Sequence, residues 1–292
     1  MNSYIFMTDS DSDLPFRFLD EFDINMVYMP YSLNGEDRID DLGRNGTQKD
    51  FFNAMRSGAV PVTSQLPMGA YLDYLEPAFK KGKDILFLSF SGQLSATLNN
   101  LRAAYQELLE QYPERKLRIV DTLSISVPQS ILILKAYELY RSGKPLDEVA
   151  QWVEDNKLRA QAFFTVDDLV YLKRGGRISA TAATVGNLLE LKPIITETRD
   201  GKLQNIDKVK GRKKALRTLV EKAASQIDNP AECYPVVVEA DDMEGAVQLA
   251  ALWKKEIPEL PEIQIWPVGP VIGAHCGPGT LAVAFFGKER AI

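Results

Sequence analysis

A single histidine, His275, occurs in 292 residues. It falls in Val268-Gly-Pro-Val-Ile-Gly-Ala-His-Cys-Gly-Pro-Gly-Thr280, where four glycines and two prolines read as a loop. Glycine lets backbone N–H groups approach a ligand closely, and proline fixes the path of the chain. Imidazole donates a hydrogen bond to an anion and changes charge near neutral pH. A lone histidine is more often structural than ligating, so the ligating reading rests on the chemistry around it.

Two distant segments carry matching chemistry. Val60-Pro-Val-Thr-Ser-Gln-Leu-Pro67 brackets Thr63, Ser64 and Gln65 between prolines, just before an expected helix. Hydroxyls and unpaired N–H groups at a helix amino end make an anion site. An ordinary N-cap by Ser64 or Gln65 is the plainer reading. Ser89-Phe-Ser-Gly-Gln-Leu-Ser-Ala-Thr97 follows an apolar strand and places Ser95 at the start of the next helix. That crest, at the carboxyl ends of strands, is where open α/β sheets bind ligands. The chemistry common to the three segments is the grip of one carboxylate.

The run Thr8-Asp-Ser-Asp-Ser-Asp13 gives Asp9, Asp11 and Asp13 the spacing of a calcium loop, with Asp20 in the twelfth position. The glycine that such a loop needs at its sixth position is Leu14, and Pro15 follows. The run also resembles the D-x-D nucleophile motif of haloacid-type phosphatases, but Asp13 stands where Thr or Val is wanted. An acidic cap at a strand-to-helix turn, with Asp9 bonding nearby loop N–H groups, is expected instead. There is no GxSxG and no Walker loop, so a Ser–His hydrolase would have to pair His275 with Ser95 or Ser64. Cys233 and Cys276 fit no CxxC or zinc spacing. A disulfide between them would be unusual in a reducing compartment.

Composition narrows the class. Apolar residues make up 45% of the chain and charged residues 25%, the profile of a soluble globular protein of one large or two ordinary domains. A net charge of −6 argues against nucleic acid as a partner. The local exception, Lys208, Lys210, Arg212, Lys213, Lys214 and Arg217, reads as a solvated helix face. No run approaches the ~18 apolar residues of a membrane span. The first residues lack a basic n-region and an apolar h-region, so no secretory signal and a cytoplasmic location are expected.

Periodicity indicates the elements that must position these groups. Strands are expected at Tyr4–Thr8, Asn25–Ser32, Asp84–Ser89 and Lys116–Asp121. Helices are expected at Asp13–Glu21, Thr47–Ser57, Pro67–Lys81 and Ser95–Gln111, with a further one after Asp121 through Tyr140 and a turn at Asn34-Gly35. This alternation predicts a mostly parallel sheet with flanking helices. After a helix at Pro145–Asn156 the rhythm changes. Strands at Ala162–Val166, Lys192–Thr198, Gly201–Lys210, Tyr234–Glu239, Glu262–Pro267 and Leu281–Phe286 join helices at Arg212–Ile227 and Met243–Glu256. The expected fold class is therefore α/β with two domains: 1–160 mostly parallel, and 161–292 α+β with a largely antiparallel sheet.

Eight segments, in order, resemble the DegV family over nearly the whole chain. They are Thr8-Asp-Ser, Pro61-x-Thr-Ser-Gln65, Leu94-Ser-Ala-Thr97, Val120-Asp-Thr-x-Ser-x-Ser126, Tyr171-Leu-Lys-Arg-Gly-Gly-Arg-Ile-Ser179, Leu191-Lys-Pro-Ile-Ile195, Lys210-Gly-Arg-Lys-Lys-Ala215 and His275-x-Gly-Pro-Gly279. The resemblance implies a cytoplasmic bacterial protein that holds a long-chain fatty acid in a tunnel between its domains. It further implies a carrier that is not catalytic alone and presents the carboxylate to a separate ATP-dependent fatty acid kinase subunit, which forms the acyl phosphate. Thr63 and Ser95 would bind the carboxylate with His275 beside them, supported by Ser64, Ser126 and Asp9. Arg174 and Arg177 would dock the kinase. No metal and no cofactor are implied beyond the bound acid, and membrane contact would be at most transient. Two other readings stand beside this one: a hydrolase or phosphatase using Asp9/Asp11 or Ser95/His275, and a sensor of a non-lipid organic acid. Ala96 departs from the more usual glycine and adds a Cβ beside Ser95, and Val120-Asp-Thr122 stands where Asp-Ser is usual. Chain-length preference would be set by apolar residues between the domains, with Val185, Leu188 and Leu189 as candidates.

Overall fold

The computed structural model describes residues 3–46, 48–178 and 191–292. The chain-length candidates Val185, Leu188 and Leu189 lie outside the described residues. The first half contributes β1 (Tyr4–Asp9), α1 (Arg17–Glu21), β2 (Asn25–Val27), β3 (Pro30–Leu33), β4 (Glu36–Ile39), α2 (Gln48–Arg56), β5 (Val62–Thr63), α3 (Met68–Lys80), β6 (Asp84–Ser89), α4 (Thr97–Gln111), β7 (Leu117–Asp121), α5 (Val127–Arg141) and α6 (Leu146–Asn156). Four of these strands form a parallel sheet in the order β2-β1-β6-β7. Ile85 to Leu88 of β6 are all fully buried, so both faces of the sheet are covered, as its unbroken apolar run requires.

The expected strand over Asn25–Ser32 is two strands. β2 stays in the parallel sheet, whereas β3 leaves it and forms a small antiparallel sheet in the order β4-β3-β5. Pro30 starts β3 and has no N–H to continue the first ladder. The Met29 N–H donates instead to Ser10 Oγ at 2.9 Å. The helix expected over Asp13–Glu21 is only α1, preceded by a 3-10 turn at Ser10–Ser12. Asp13 adopts φ 52°, which interrupts the helix, and its carboxylate accepts from the Gly269 N–H at 2.8 Å and from Ser126 Oγ.

From Ala160 onward every strand among the described residues belongs to a six-stranded sheet. It comprises β8 (Ala160–Thr165), β9 (Leu191–Glu197), β10 (Leu203–Lys210), β11 (Val236–Glu239), β12 (Gln264–Pro267) and β13 (Leu281–Phe286), in the order β10-β9-β8-β13-β11-β12. All its pairings are antiparallel except β11 with β12. Among the described residues the helices of this half are α7 (Val170–Arg174), α8 (Arg212–Gln226), α9 (Met243–Glu256) and α10 (Pro270–Cys276). Leu216, Leu219 and Val220 of α8 and Leu249 and Trp253 of α9 share a core with Val237, Val283 and Phe285 of the sheet. α5 contacts β1 of the parallel sheet and β8 and β13 of the six-stranded one. It is buried on nearly every side, which explains why its apolar residues follow no single stripe.

The expected loop around His275 contains a short helix, α10, and His275 sits in its last turn. Pro270 opens it at a position where a missing N–H costs nothing, and Gly277 at φ 77° closes it. Two of its glycines serve packing: a Cβ on Gly269 would lie 2.6 Å from Asp40, and one on Gly273 2.8 Å from the Phe52 ring.

Candidate functional site

Thr63 reaches the site through the small sheet, where it pairs with Tyr31 of β3. His275 arrives on α10, which contacts both β3 and β5. Thr63 Oγ1 and His275 Nε2 lie 2.9 Å apart. The Asn100 amide on α4 donates to the Leu66 carbonyl at 2.9 Å and so ties the Thr63–Leu66 segment to the helix that Ser95 precedes. Ser95 Oγ sits 2.9 Å from Thr97 Oγ1 and accepts from the Thr97 N–H at 3.3 Å, which fixes the first turn of α4. Thr122, the departure in Val120-Asp-Thr122, is buried and donates to the Ser89 carbonyl at 2.8 Å, holding the crest of the sheet.

The segment Lys173-Arg-Gly-Gly-Arg177 closes one side. Arg177 Nε donates to the Leu94 carbonyl at 3.2 Å, next to Ser95. A Cβ on Gly175 would meet His275 Nδ1 at 2.2 Å, so the imidazole packs directly on that glycine. Burial, and then the nearby Arg177 charge, pushes the His275 pKa down to about 4. The ring is therefore neutral near pH 7, one nitrogen a donor and the other an acceptor. Nδ1 is buried with no hydrogen-bond partner among the described residues.

These groups open onto one cavity of about 640 Å³, within the ~300–1,000 Å³ of small-molecule sites. Thr63, Ser64, Ser95, Ser126, Arg177 and His275 line it. So do apolar residues from both sides of residue 160, among them Met29, Ile125 and Pro128 on one and Phe164, Leu203 and Val238 on the other. Two expected site residues lie elsewhere. Asp9 is fully buried beneath the site and accepts from the Phe90 N–H at 3.0 Å and Gln129 Nε2 at 3.0 Å, joining the ends of β1 and β6. Arg174 is exposed on α7, its guanidinium over the Tyr171 ring.

His275 Nε2 is engaged by Thr63 and Ser95 by Thr97, so Ser95 and His275 do not form a hydrogen-bonded nucleophile–base pair. Among the described residues no group of three or more His, Cys, Asp or Glu could hold a metal ion. Both cysteines are free and buried. No helix among the described residues is long and apolar enough to cross a membrane. The arrangement can hold an anion with neutral donors and one nearby guanidinium, beside an apolar surface. Sequence reasoning missed Thr97, Asn100 and Gly175 as parts of this arrangement. Gly175 lay inside a motif already singled out, but nothing local pairs it with a residue 100 positions away.

The chain matches the DegV family model over residues 5–288. A DegV domain-containing protein of Clostridium perfringens is 40% identical over 290 residues, covering 99% of each chain. One from Streptococcus pyogenes serotype M3 is 33% identical over 288 residues, covering 98% of this chain and 99% of its own. Among solved structures, a DegV lipid-binding protein of Thermotoga maritima superposes with a TM-score of 0.85 at 28% identity, covering 99% of this chain and 100% of that one. A DegV family protein of Thermus thermophilus, described by its fatty acid binding, superposes with a TM-score of 0.86 at 28% identity, covering 98% and 99%.

Proposed function

Because the chain belongs to the DegV family, we propose that it binds a long-chain fatty acid and presents its carboxylate to a separate ATP-dependent kinase. One observation carries this reading: Thr63, Ser95 and His275, from three distant segments, line a single cavity whose remaining wall is largely apolar and drawn from both halves of the chain. In this reading the halves are two lobes, 1–160 and 161–292, with the acid between them. The fatty acid binding described for the Thermus thermophilus relative and the lipid binding described for that of Thermotoga maritima point the same way.

The ligand divides into two parts with different work. A sixteen-carbon acid has about 14 chain methylenes, each contributing roughly 0.8 kcal/mol on burial, about 11 kcal/mol before the cost of association. The carboxylate must shed water and needs several donors at once. Thr63, accepting from a neutral His275 Nε2–H, and Ser95 donate their hydroxyl protons without burying a second charge, at roughly 1.5–3 kcal/mol per bond to the anion. The tail thus sets affinity, and the head group fixes which oxygen faces the phosphoryl donor. The chain makes no bond itself; Arg174, exposed on α7, and Arg177 at the cavity edge receive the kinase. The setting is the bacterial cytoplasm, with no nucleic acid partner and at most passing membrane contact.

Mass spectrometry of the protein purified from a bacterial host tests this reading. A co-purified acid of fourteen to eighteen carbons supports it, and acyl-phosphate formation on adding a fatty acid kinase and ATP extends it. An empty protein that turns over generic phosphate or acyl esters overturns it.

A further inference from the structure

The helix that carries His275 is held at its opposite end by two buried acids. α10 opens at Gly269-Pro-Val271, where the Gly269 and Val271 N–H groups have no partner within the helix and Pro270 has no N–H at all. Asp13 accepts from the Gly269 N–H at 2.8 Å, and Asp40 from the Val271 N–H at 3.5 Å. Asp13 is 4% exposed and Asp40 fully buried. A Cβ on Gly269 would meet Asp13 Oδ1 at 2.8 Å and Asp40 Oδ2 at 2.6 Å, so both acids converge on one point of the helix end. Gly269 has φ −73°, so its backbone does not demand glycine; the two acids do.

The acids reach that point from two different sheets. Asp40 follows β4, its N–H donating to the Met29 carbonyl at 2.9 Å and its Oδ1 accepting from the Leu42 N–H at 3.1 Å. It therefore ties α10 to the small sheet whose β5 carries Thr63. Asp13 follows β1 of the parallel sheet, and its Oδ2 contacts Ser126 Oγ at the start of α5. Burial, followed by the neighbouring Asp40, holds Asp13 well above the usual carboxylate range. A neutral Asp13 accepts from Gly269 with one oxygen and donates to Ser126 with the other.

Sideways, α10 rests on aromatic rings: a Cβ on Gly273 would lie 2.8 Å from Phe52 and 3.1 Å from Phe51. A ring against a glycine resists approach but not sliding along the helix axis. Directional hydrogen bonds to the first N–H groups do resist it. His275 lies about 6 Å along the axis from Val271, within one rigid helix, so a shift at the amino end reaches the imidazole.

Resting on the fatty acid reading above, we propose that Asp13 and Asp40 are positioning residues for the head-group site: they fix α10 along its axis and thereby hold His275 Nε2 against Thr63 Oγ1. Neither acid touches the ligand. Apolar side chains in their place would leave two buried N–H groups unpaired and the helix end unfixed.

The chain's single histidine reports on this directly. Protein made with isotope-labelled histidine, and without a histidine tag, shows one imidazole by NMR. In delipidated wild-type protein the ring is neutral at about pH 6, because burial first, and then Arg177, pushes its pKa down to about 4. Asp13→Ala should release the helix end, hydrate the ring and return its pKa toward the ordinary value of about 6.5, leaving it largely protonated at about pH 6. Gly269→Ala, which forces both acids off the helix without removing either, should do the same, and it decides alone if Asp13→Ala does not fold. Asp13→Asn, which keeps an acceptor for Gly269 and a donor for Ser126, should behave as the wild type. Stearic acid affinity, read by displacement of a fluorescent fatty acid, should fall about tenfold or more in the first two variants and be kept in the third, the worth of one hydrogen bond to an anion. A merely structural loss lowers Tm and leaves the ring signal of the folded protein unchanged.

A ring that stays neutral in Asp13→Ala and Gly269→Ala overturns the inference, as does a protonated ring with full affinity. Asp13→Asn as defective as Asp13→Ala overturns it too, since the contact that matters would then not be the one to the Gly269 N–H. Wild-type protein that binds no stearic acid removes the fatty acid reading and this one with it, whereas intact binding in every variant removes this one alone.

Discussion

Gly175 and His275 are packed so closely that a methyl group on the glycine would lie 2.2 Å from the imidazole Nδ1. Gly175 has φ −70°, so nothing in its backbone demands glycine; only the ring does. Gly175→Ala should therefore push His275 away from Thr63 at an overpacking cost of about 1–3 kcal/mol. Calorimetry with a long-chain fatty acid should show weakened binding, with a smaller fall in Tm than in affinity. Unchanged affinity would mean that the imidazole position does not matter to the ligand.

Thr63 tests the head-group assignment. Thr63→Val keeps the shape and β-propensity of the residue in β5 but removes the hydroxyl beside His275 Nε2. Loss of one hydrogen bond to an anion, about 1.5–3 kcal/mol, should weaken fatty acid binding about ten- to a hundredfold. Thr63→Ser should restore most of it. A fluorescent displacement titration reads both, and equal affinity in all three proteins would contradict the site.

Arg290 should be costly to remove. It is 2% exposed, donates to the Ala160 carbonyl at 2.8 Å and the Leu123 carbonyl at 2.6 Å, and faces Glu197. Arg290→Met strands Glu197 as a buried, uncompensated acid, a loss of about 3–5 kcal/mol. Urea denaturation should show that loss, and Arg290→Met with Glu197→Gln should recover part of it. A single variant as stable as the wild type would show that the pair is not a clamp.

Stability should depend on pH in a direction the buried acids decide. Burial chiefly pushes Asp9 and Asp40 up to about 7 and holds Asp11 and Asp13 well above the usual range. The folded protein then binds more protons than the unfolded chain between about pH 4 and 7. Their stabilisation is full below an unfolded carboxyl pKa of about 4 and is lost as pH rises through 7. His275 acts oppositely: folded at about 4 and ordinarily at 6.5, it contributes stability above 6.5 that is lost as pH falls toward 4. Four carboxyls outweigh one imidazole, so Tm should fall on going from about pH 5 to pH 8. Asp40→Asn should flatten that slope in a thermal melt, and a Tm that climbs with pH over this window would reverse the assignment.

Much of the architecture was legible locally. The unbroken apolar run of β6 and the alternation of strands and helices are consequences of one-dimensional periodicity, so the parallel sheet and the largely antiparallel one that follows could be read off. Pro30 breaks the expected single strand into β2 and β3, because where the ladder ends depends on the partner strand that a missing N–H would leave unpaired. The glycines around His275 read as loop residues because glycine is scarce in helices. In α10 they are there to let Asp40 and the Phe52 ring approach the helix, a demand made by distant residues.

The sequence alone marked the segments around Thr63, Ser95 and His275 as able to hold an anion, and the order of its motifs indicates the family. Only the tertiary structure decided how they meet. Asn100 bonds the segment after Thr63, Arg177 bonds the loop before Ser95, and Gly175 carries the imidazole, each across scores of residues. It also decided that Asp11 is among the residues lining a cavity while Asp9 is buried against the Phe90 N–H, two residues apart in a run that reads as uniform. Hydrogen-bond partners and burial depend on which chain segments are brought together, and neither periodicity nor composition encodes that pairing.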